Sequence, residues 1–128
     1  MIRVFVICEG QTEERFIKDI FASYFNPQKF YIQPLMIPTS KTGKGGALNY
    51  QRVKDFICNK LKEDENAYLT TMFDYYAIDN NFPGTNNNIS DIYKKVSFLE
   101  HEFYKDILST VATARDKFIP YFQLHEFE

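Results

Sequence analysis

The chain has 128 residues, 45% of them hydrophobic and 25% charged, which is typical of one folded domain and excludes a disordered segment. We therefore predict a single domain over residues 1–128. The net charge of −2 excludes binding to nucleic acid through bulk positive charge alone. Cys8 and Cys58 lie in apolar runs, which predicts reduced core thiols in a cytoplasmic protein. No apolar run approaches the roughly 20 residues of a membrane span, so no membrane partner is expected.

The first half of the chain alternates between strand and helix patterns. Ile2–Cys8 is nearly continuously apolar and β-branched, which is typical of a strand buried on both faces. Thr12 is expected to cap the helix that follows, because its hydroxyl is a suitable acceptor for free backbone N–H groups. Phe30–Ile37 predicts a second strand, and Pro34 places that strand at an edge or a bend.

The second half continues the alternation. Asn49 is expected to cap a second helix, and Ala67–Phe73 predicts a third strand. Apolar residues spaced three or four apart over Ile89–Ile107 predict a long helix, and Lys117–Leu124 predicts the fourth strand. The order β-α-β-α-β-α-β predicts a three-layer α/β/α fold with a mainly parallel, four-stranded sheet. The order of the strands within that sheet stays open.

Carboxylates follow three of the predicted strands: Glu9 follows the first, Asp74 the third, and Glu126 and Glu128 the fourth. Glu13 lies four residues after Glu9. Because the carboxyl ends of parallel strands meet at one edge of a sheet, we expect these side chains to converge. A divalent cation, Mg²⁺ or Mn²⁺, would stabilise such a cluster against its own repulsion. The alternative is that the strands simply end at the polar surface.

A basic segment runs from Lys41 to Lys62, with six basic residues and one acidic residue. Lys41 and Lys44 lie in a Gly-rich loop, and Arg52 lies at the start of the second helix. We expect these three side chains to bind phosphate groups. The loop lacks the spacing of a nucleotide-hydrolase phosphate loop. A flexible surface loop, or a site for a small phosphate ligand, remains an alternative interpretation.

Glu9-Gly10-Gln11-Thr12-Glu13-Glu14, directly after the first strand, resembles the Glu-Gly-x-x-Glu signature of Toprim-like domains of the kind seen in OLD-family nucleases. Almost the whole chain resembles an uncharacterised bacterial family of Toprim-like proteins of unknown function, often encoded beside ATPases in defence-type or mobile gene clusters. The segments that carry this wider resemblance are GKGG at 43–46, TTMFDYY at 70–76, FPG at 82–84 and QLHEFE at 123–128.

The resemblance implies Mg²⁺-dependent chemistry on the phosphodiesters of DNA or RNA. It assigns Glu9 the role of acid/base or metal ligand, and Glu13 and Asp74 the roles of further ligands. The sequence departs from the family pattern at Tyr76, which stands where the acidic motif has its second Asp. The next acidic residue is Asp79, a secondary candidate. This departure leaves it open whether the domain is an active enzyme.

The end of the chain supplies the remaining candidates. Glu126 or Glu128 would replace the missing metal ligand, and His125 is a secondary candidate as a ligand or proton carrier. Similar proteins run on past this segment, so the chain is either naturally short or truncated. The leading hypothesis is a metal-dependent, nuclease-like phosphotransfer domain that acts in a bacterial defence or mobile-element system. The alternative is a non-catalytic interaction module with a degenerate fold that partners an ATPase. The oligomeric state is not indicated.

Overall fold

The computed structural model describes residues 1–37 and 48–124. It confirms an α/β fold in which helices connect the strands of a parallel sheet. The first helix, Gln11–Phe16, continues into a π-helical turn, Ile17–Phe21, and a 3₁₀ turn, Ala22–Tyr24. The strands are β1 (Ile2–Cys8), β2 (Phe30–Met36), β3 (Tyr68–Asp74), β4 (Phe118–Ile119) and β5 (Phe122–Gln123), and the helices are α1 (Gln11–Phe16), α2 (Tyr50–Glu63) and α3 (Ile92–Thr110).

The sheet has five strands in the order β2-β1-β3-β4, and β5 also pairs with β3. Every pair is parallel, and Cys8 at the end of β1 lies between Met36 and Met72 of its two neighbours. Right-handed crossovers in this order place α1 on one face of the sheet and α2 and α3 on the other. The expected three-layer arrangement follows. The strand β2, which contains Pro34, lies at the predicted edge.

The predicted fourth strand, Lys117–Leu124, is interrupted, so the sheet has five strands rather than four. The strands β4 and β5 pair with β3 in the same register, one after the other along the same edge. The ladder breaks between them because Pro120 has no N–H to donate. The buried Thr71 hydroxyl fills the gap: it donates to the carbonyl of Tyr121 at 2.7 Å and accepts from its N–H at 2.8 Å.

We expect Thr71→Val to lower the free energy of unfolding by about 2 kcal/mol, because it leaves the N–H and carbonyl of Tyr121 without partners. Urea denaturation followed by circular dichroism measures the change. Thr70→Val is the matched control, since the Thr70 hydroxyl donates one exposed hydrogen bond, to the carbonyl of Ile119. Equal effects of the two variants would contradict this role for Thr71.

An aromatic cluster fills the space between the sheet and the helices α2 and α3. One of its members, Phe82, comes from the loop after β3 and is only 2% exposed. Gly84 turns the chain just beyond it with a φ of +87°, a conformation that favours glycine. The loop is therefore attached to the core rather than only to the surface. The rings of the cluster belong to Tyr50, Phe82, Phe103, Phe118 and Phe122.

A smaller core lies on the opposite face, beneath α1. Val6, Cys8, Ile17 and Met72 are its buried members. Cys8 here and Cys58 on α2 are both free and buried, as the sequence predicts. Within residues 1–37 and 48–124, no helix combines the length and apolar character needed to cross a membrane.

The helix starts differ in part from prediction. Asn49 caps α2 as expected, and its side chain accepts from the N–H of Arg52. Gly10, not Thr12, precedes α1, and no side chain caps that helix. The helix α3 begins at Ile92 rather than Ile89 because the Asp91 side chain accepts from two N–H groups of its first turn.

Candidate functional site

The candidate site lies where β1 and β3 end side by side. Glu9 directly follows β1, and Asp74 is the last residue of β3. From β1 the chain crosses to β2 on one side, whereas β3 lies on its other side. Such a reversal of strand order opens a crevice at the carboxyl edge of a parallel sheet, where ligands bind in folds of this type. The strand order therefore places the ends of β1 and β3 next to each other.

Glu9 is a half-buried carboxylate at the end of β1. Burial raises its pKa above the ordinary value, and the negative charges of Glu13 and Asp74 raise it further. The backbone N–H of Asp74 donates to the Glu9 carboxylate and acts in the opposite direction. Glu13 and Asp74 thus each lie close enough to Glu9 to act on its carboxyl group, and this repulsion favours either a proton or a cation at Glu9.

Gly10 lies beneath the carboxylate of Glu13, between the two glutamates of the motif. A Cβ atom at this position would lie 2.7 Å from Oε2 of Glu13, so the Glu13 carboxylate folds back over the bare Cα. The extended backbone of Gly10 leads into α1, and its carbonyl accepts from the N–H of Glu14. The Glu-Gly-x-x-Glu sequence therefore brings the second carboxylate back toward the first.

The pKa of the buried Cys8 thiol also responds to the negative charges at the end of β1. Its pKa is raised to about 12, first by burial and then by the charges of Glu13, Glu14 and Glu9. A thiol with so high a pKa stays protonated at neutral pH and is a poor nucleophile. Cys8 therefore supports the strand end without taking part in chemistry.

Asp74 is held at the start of the turn that follows β3. Its Oδ1 atom accepts from the N–H of Tyr76 at 2.9 Å and caps the 3₁₀ turn Tyr75–Ala77. Tyr76, which replaces the second Asp of the acidic motif, is 68% exposed. This position therefore presents an exposed aromatic ring beside Asp74 where the motif would present a carboxylate.

Asp79 has a structural role. One of its oxygens accepts from the N–H of Asn81 at 3.0 Å, and the other accepts from the N–H of Tyr50 at 3.4 Å. Leu48 pairs with the same segment through Ala77 and Asp79. These bonds bind the start of α2 to the segment that follows β3.

Arg52 lies in the first turn of α2 and is exposed. Because the start of α2 is bound to the segment after β3, Arg52 belongs to the same edge of the molecule as Asp74. The remaining predicted residues, Lys41, Lys44, His125, Glu126 and Glu128, lie outside the described residues.

The part of the chain that the structure describes does not provide a complete set of metal ligands. No group of three His, Cys, Asp or Glu side chains there is arranged to hold a metal ion. Carboxylate oxygens are the ligand type that Mg²⁺ and Mn²⁺ prefer, and Glu9 and Asp74 provide them from adjacent strands. A full ligand set would need a rotated Glu13 or a residue from the end of the chain.

A polar pocket beside Asp74 is not predicted from the sequence. It has a volume of about 270 Å³ and begins at the two tyrosines that follow Asp74. Lys95, from α3, lies on its wall, and no local sequence signal connects that residue to the strand end. The lining residues are Tyr75, Tyr76, Ile78, Asp79, Asn80, Thr85, Lys95 and Leu99.

We expect Glu9→Gln to stabilise the metal-free protein at neutral pH. A carboxyl group whose pKa is raised by folding stabilises the folded state fully below its ordinary pKa and loses that contribution as pH rises through the raised value. The gain in melting temperature of the variant should therefore grow from pH 4 to pH 8 in EDTA. Glu65→Gln, which removes an exposed carboxylate, is the control. A lower melting temperature for Glu9→Gln across this range would contradict the expectation.

Residues 8–128 match the family described as Domain of unknown function (DUF4276), and the chain belongs to that family. The predicted membership in an uncharacterised family is thereby confirmed, whereas the relation to Toprim and OLD-type nucleases stays a prediction. Neither the curated proteins nor the solved structures include a match to this chain.

Proposed function

We propose that this member of the DUF4276 family is a divalent-metal-dependent, nuclease-like phosphotransfer domain of Toprim type that acts on nucleic-acid phosphodiesters. One observation carries the proposal. Glu9 meets both the backbone N–H and the negative charge of Asp74 across two adjacent strand ends. Such an arrangement is costly without a function, because like charges at short range raise the free energy of the folded state.

The chemistry follows from the raised pKa of Glu9. A general base works best when its pKa approaches the working pH, and burial with neighbouring carboxylates moves Glu9 in that direction. As the base, Glu9 would take a proton from the attacking water or hydroxyl; in its alternative role it would be a metal ligand. Mg²⁺ or Mn²⁺, held by Asp74 with Glu13, Glu126 or Glu128, and by Glu9 in the ligand role, would supply charge neutralisation at the phosphoryl oxygens.

The positive charge of Arg52 near this edge suits the proposed substrate. Arg52 lies at the start of α2, and the predicted phosphate-binding residues Lys41 and Lys44 precede it in the chain. Their role is to hold the backbone phosphates flanking the cleaved bond, a function that does not require net positive charge over the whole domain.

A cleavage assay tests this proposal. Supercoiled plasmid, single-stranded DNA and structured RNA are incubated with the full chain and with Mg²⁺, Mn²⁺ or EDTA. We expect cleavage of at least one substrate with a divalent cation and none in EDTA. Cleavage that persists in EDTA, or no cleavage of any substrate with either cation, would contradict the proposal.

A non-catalytic interaction module that partners an ATPase is the second candidate function. Two observations favour it. The described residues hold no group of three potential metal ligands, and a groove of about 300 Å³ on the α1 side of the sheet is lined almost wholly by apolar side chains, including Ile2, Val4 and Ile119. An exposed apolar surface of this kind is typical of protein–protein contact sites. This candidate predicts that the melting temperature does not respond to divalent cations.

A further inference from the structure

The pocket beside Asp74 combines three kinds of group that bind a nucleotide unit. It offers aromatic faces at Tyr75 and Tyr76, polar groups at Asn80 and Thr85, and a cation at Lys95. Its volume of about 270 Å³ lies just below the range of about 300–1,000 Å³ typical of small-molecule pockets. The pocket therefore suits one nucleoside-sized group and not a folded domain or a duplex.

Tyr76 provides the stacking surface. Its ring packs edge-on against Tyr75, with 4.9 Å between the centroids and 77° between the planes. Although this contact positions the ring, Tyr76 remains 68% exposed. A large aromatic side chain that is both positioned and exposed is suited to stack on a flat ligand, since every nucleobase has a π-face.

Lys95 provides the positive charge. It is half-buried on α3, and its ammonium makes no ion pair with a carboxylate of residues 1–37 or 48–124. The carboxylate of Asp79 also lines the pocket, but its oxygens accept from the N–H groups of Tyr50 and Asn81. The cation of Lys95 is thus available to a negatively charged group such as a phosphate.

We infer that this pocket binds one nucleotide of a single-stranded nucleic acid, with its base stacked on Tyr76 and its phosphate beside Lys95. The inference rests on the proposed function and names its substrate class. Asp74 links the two sites, since its Oδ1 atom accepts from the N–H of Tyr76. A nucleotide held in the pocket would place a neighbouring phosphodiester toward Glu9 and Asp74. Bases within a duplex are stacked on one another, so only an unpaired base presents its face to Tyr76.

Binding of fluorescein-labelled oligonucleotides in EDTA tests the inference without cleavage. Fluorescence anisotropy is measured with the full chain and a 12-nucleotide single strand of DNA, the same sequence as RNA, and the DNA duplex. We expect tighter binding of a single strand than of the duplex, and the DNA and RNA arms identify which sugar is preferred. Tyr76→Ala should weaken single-strand binding about 10-fold, whereas Tyr76→Phe should retain it, because stacking needs the ring and not the hydroxyl.

Lys95→Gln should also weaken binding and reduce the slope of log affinity against log salt by about 1, as expected for the loss of one phosphate contact. Tyr93→Ala and Lys94→Gln are matched controls on α3, because neither residue lines the pocket and Tyr93 is as exposed as Tyr76. Both controls should bind as the unaltered protein does.

The outcomes separate the two proposals. No binding of single strands, equal binding of the duplex, or equal effects of Tyr76→Ala and Tyr93→Ala would overturn the inference. Because the anisotropy experiment contains no divalent cation, it is independent of cleavage. A protein that binds single strands through Tyr76 but cleaves nothing with Mn²⁺ would retain this pocket and lose the proposed enzymatic function.

Discussion

Phe103→Ala should lower the free energy of unfolding by about 3–5 kcal/mol, the usual cost of removing a fully buried phenylalanine side chain. Phe103 is 0% exposed and lies at the centre of the aromatic cluster. It meets Tyr50, Phe82 and Phe118 edge-on and stacks on Phe122, with centroid separations of 5.3–5.8 Å. This loss is a large share of the total free energy of unfolding, which is about 5–15 kcal/mol for typical domains.

Urea denaturation measures this change, and Tyr93→Ala is the matched control on the same helix. Tyr93 is 67% exposed, so its loss should change the free energy of unfolding by no more than about 0.5 kcal/mol. Phe103→Leu should fall between the two, because it retains part of the buried volume. A loss below about 1 kcal/mol for Phe103→Ala would mean that Phe103 does not hold the α2–α3 side of the sheet together.

Glu9→Gln and Asp74→Asn should each reduce metal-dependent cleavage by about 100-fold or more. Loss of a general base typically costs about 10²–10⁴ in rate. Loss of a residue that only orients a metal ligand typically costs about 10–100-fold, and loss of the ligand itself should cost at least as much. Both variants keep an oxygen that can accept the hydrogen bonds seen at these positions, from the N–H of Asp74 and of Tyr76. The fold should therefore survive, and circular dichroism verifies this before rates are compared.

Glu100→Gln provides a closely matched control for Glu9→Gln. Glu100 is also half-buried, its pKa is also raised by burial, and its carboxylate accepts from the N–H of Phe122 at 2.9 Å. No neighbouring carboxylate contributes to that shift, in contrast to Glu9. Cleavage should be retained in Glu100→Gln. Equal losses in the two variants would attribute the effect to the fold and not to the chemistry at Glu9.

Most of the fold is predictable because its strands and helices differ in hydrophobic period. The nearly continuously apolar strand Ile2–Cys8 and the helical stripe that ends at Ile107 each specify their own element. The break between β4 and β5 is not predictable in the same way. Pro120 signals it, but the hydroxyl that bridges the gap comes from Thr71, about 50 residues earlier. Contacts between distant parts of the chain leave no local pattern.

The candidate site likewise has features that the sequence predicts and features that only the structure shows. The neighbouring positions of Glu9 and Asp74 are predictable because parallel strands end at one edge of a sheet. A carboxylate at the end of such a strand therefore lies at that edge. The contact at Gly10 needs the structure, since only the structure shows that the Glu13 carboxylate lies over its bare Cα. Asp79 is a secondary candidate in the sequence, and only the structure shows that its oxygens accept from the N–H groups of Tyr50 and Asn81.

Binding of Mn²⁺ is the most direct test of whether the carboxylates of Glu9 and Asp74 share a divalent cation. The melting temperature is measured as Mn²⁺ is added to the unaltered chain, to Glu9→Gln and to Asp74→Asn. A ligand that binds only the folded state raises its melting temperature as concentration increases. We predict such a rise for the unaltered chain and its loss in both variants. No rise up to millimolar Mn²⁺, or an equal rise in all three proteins, would contradict the shared cation.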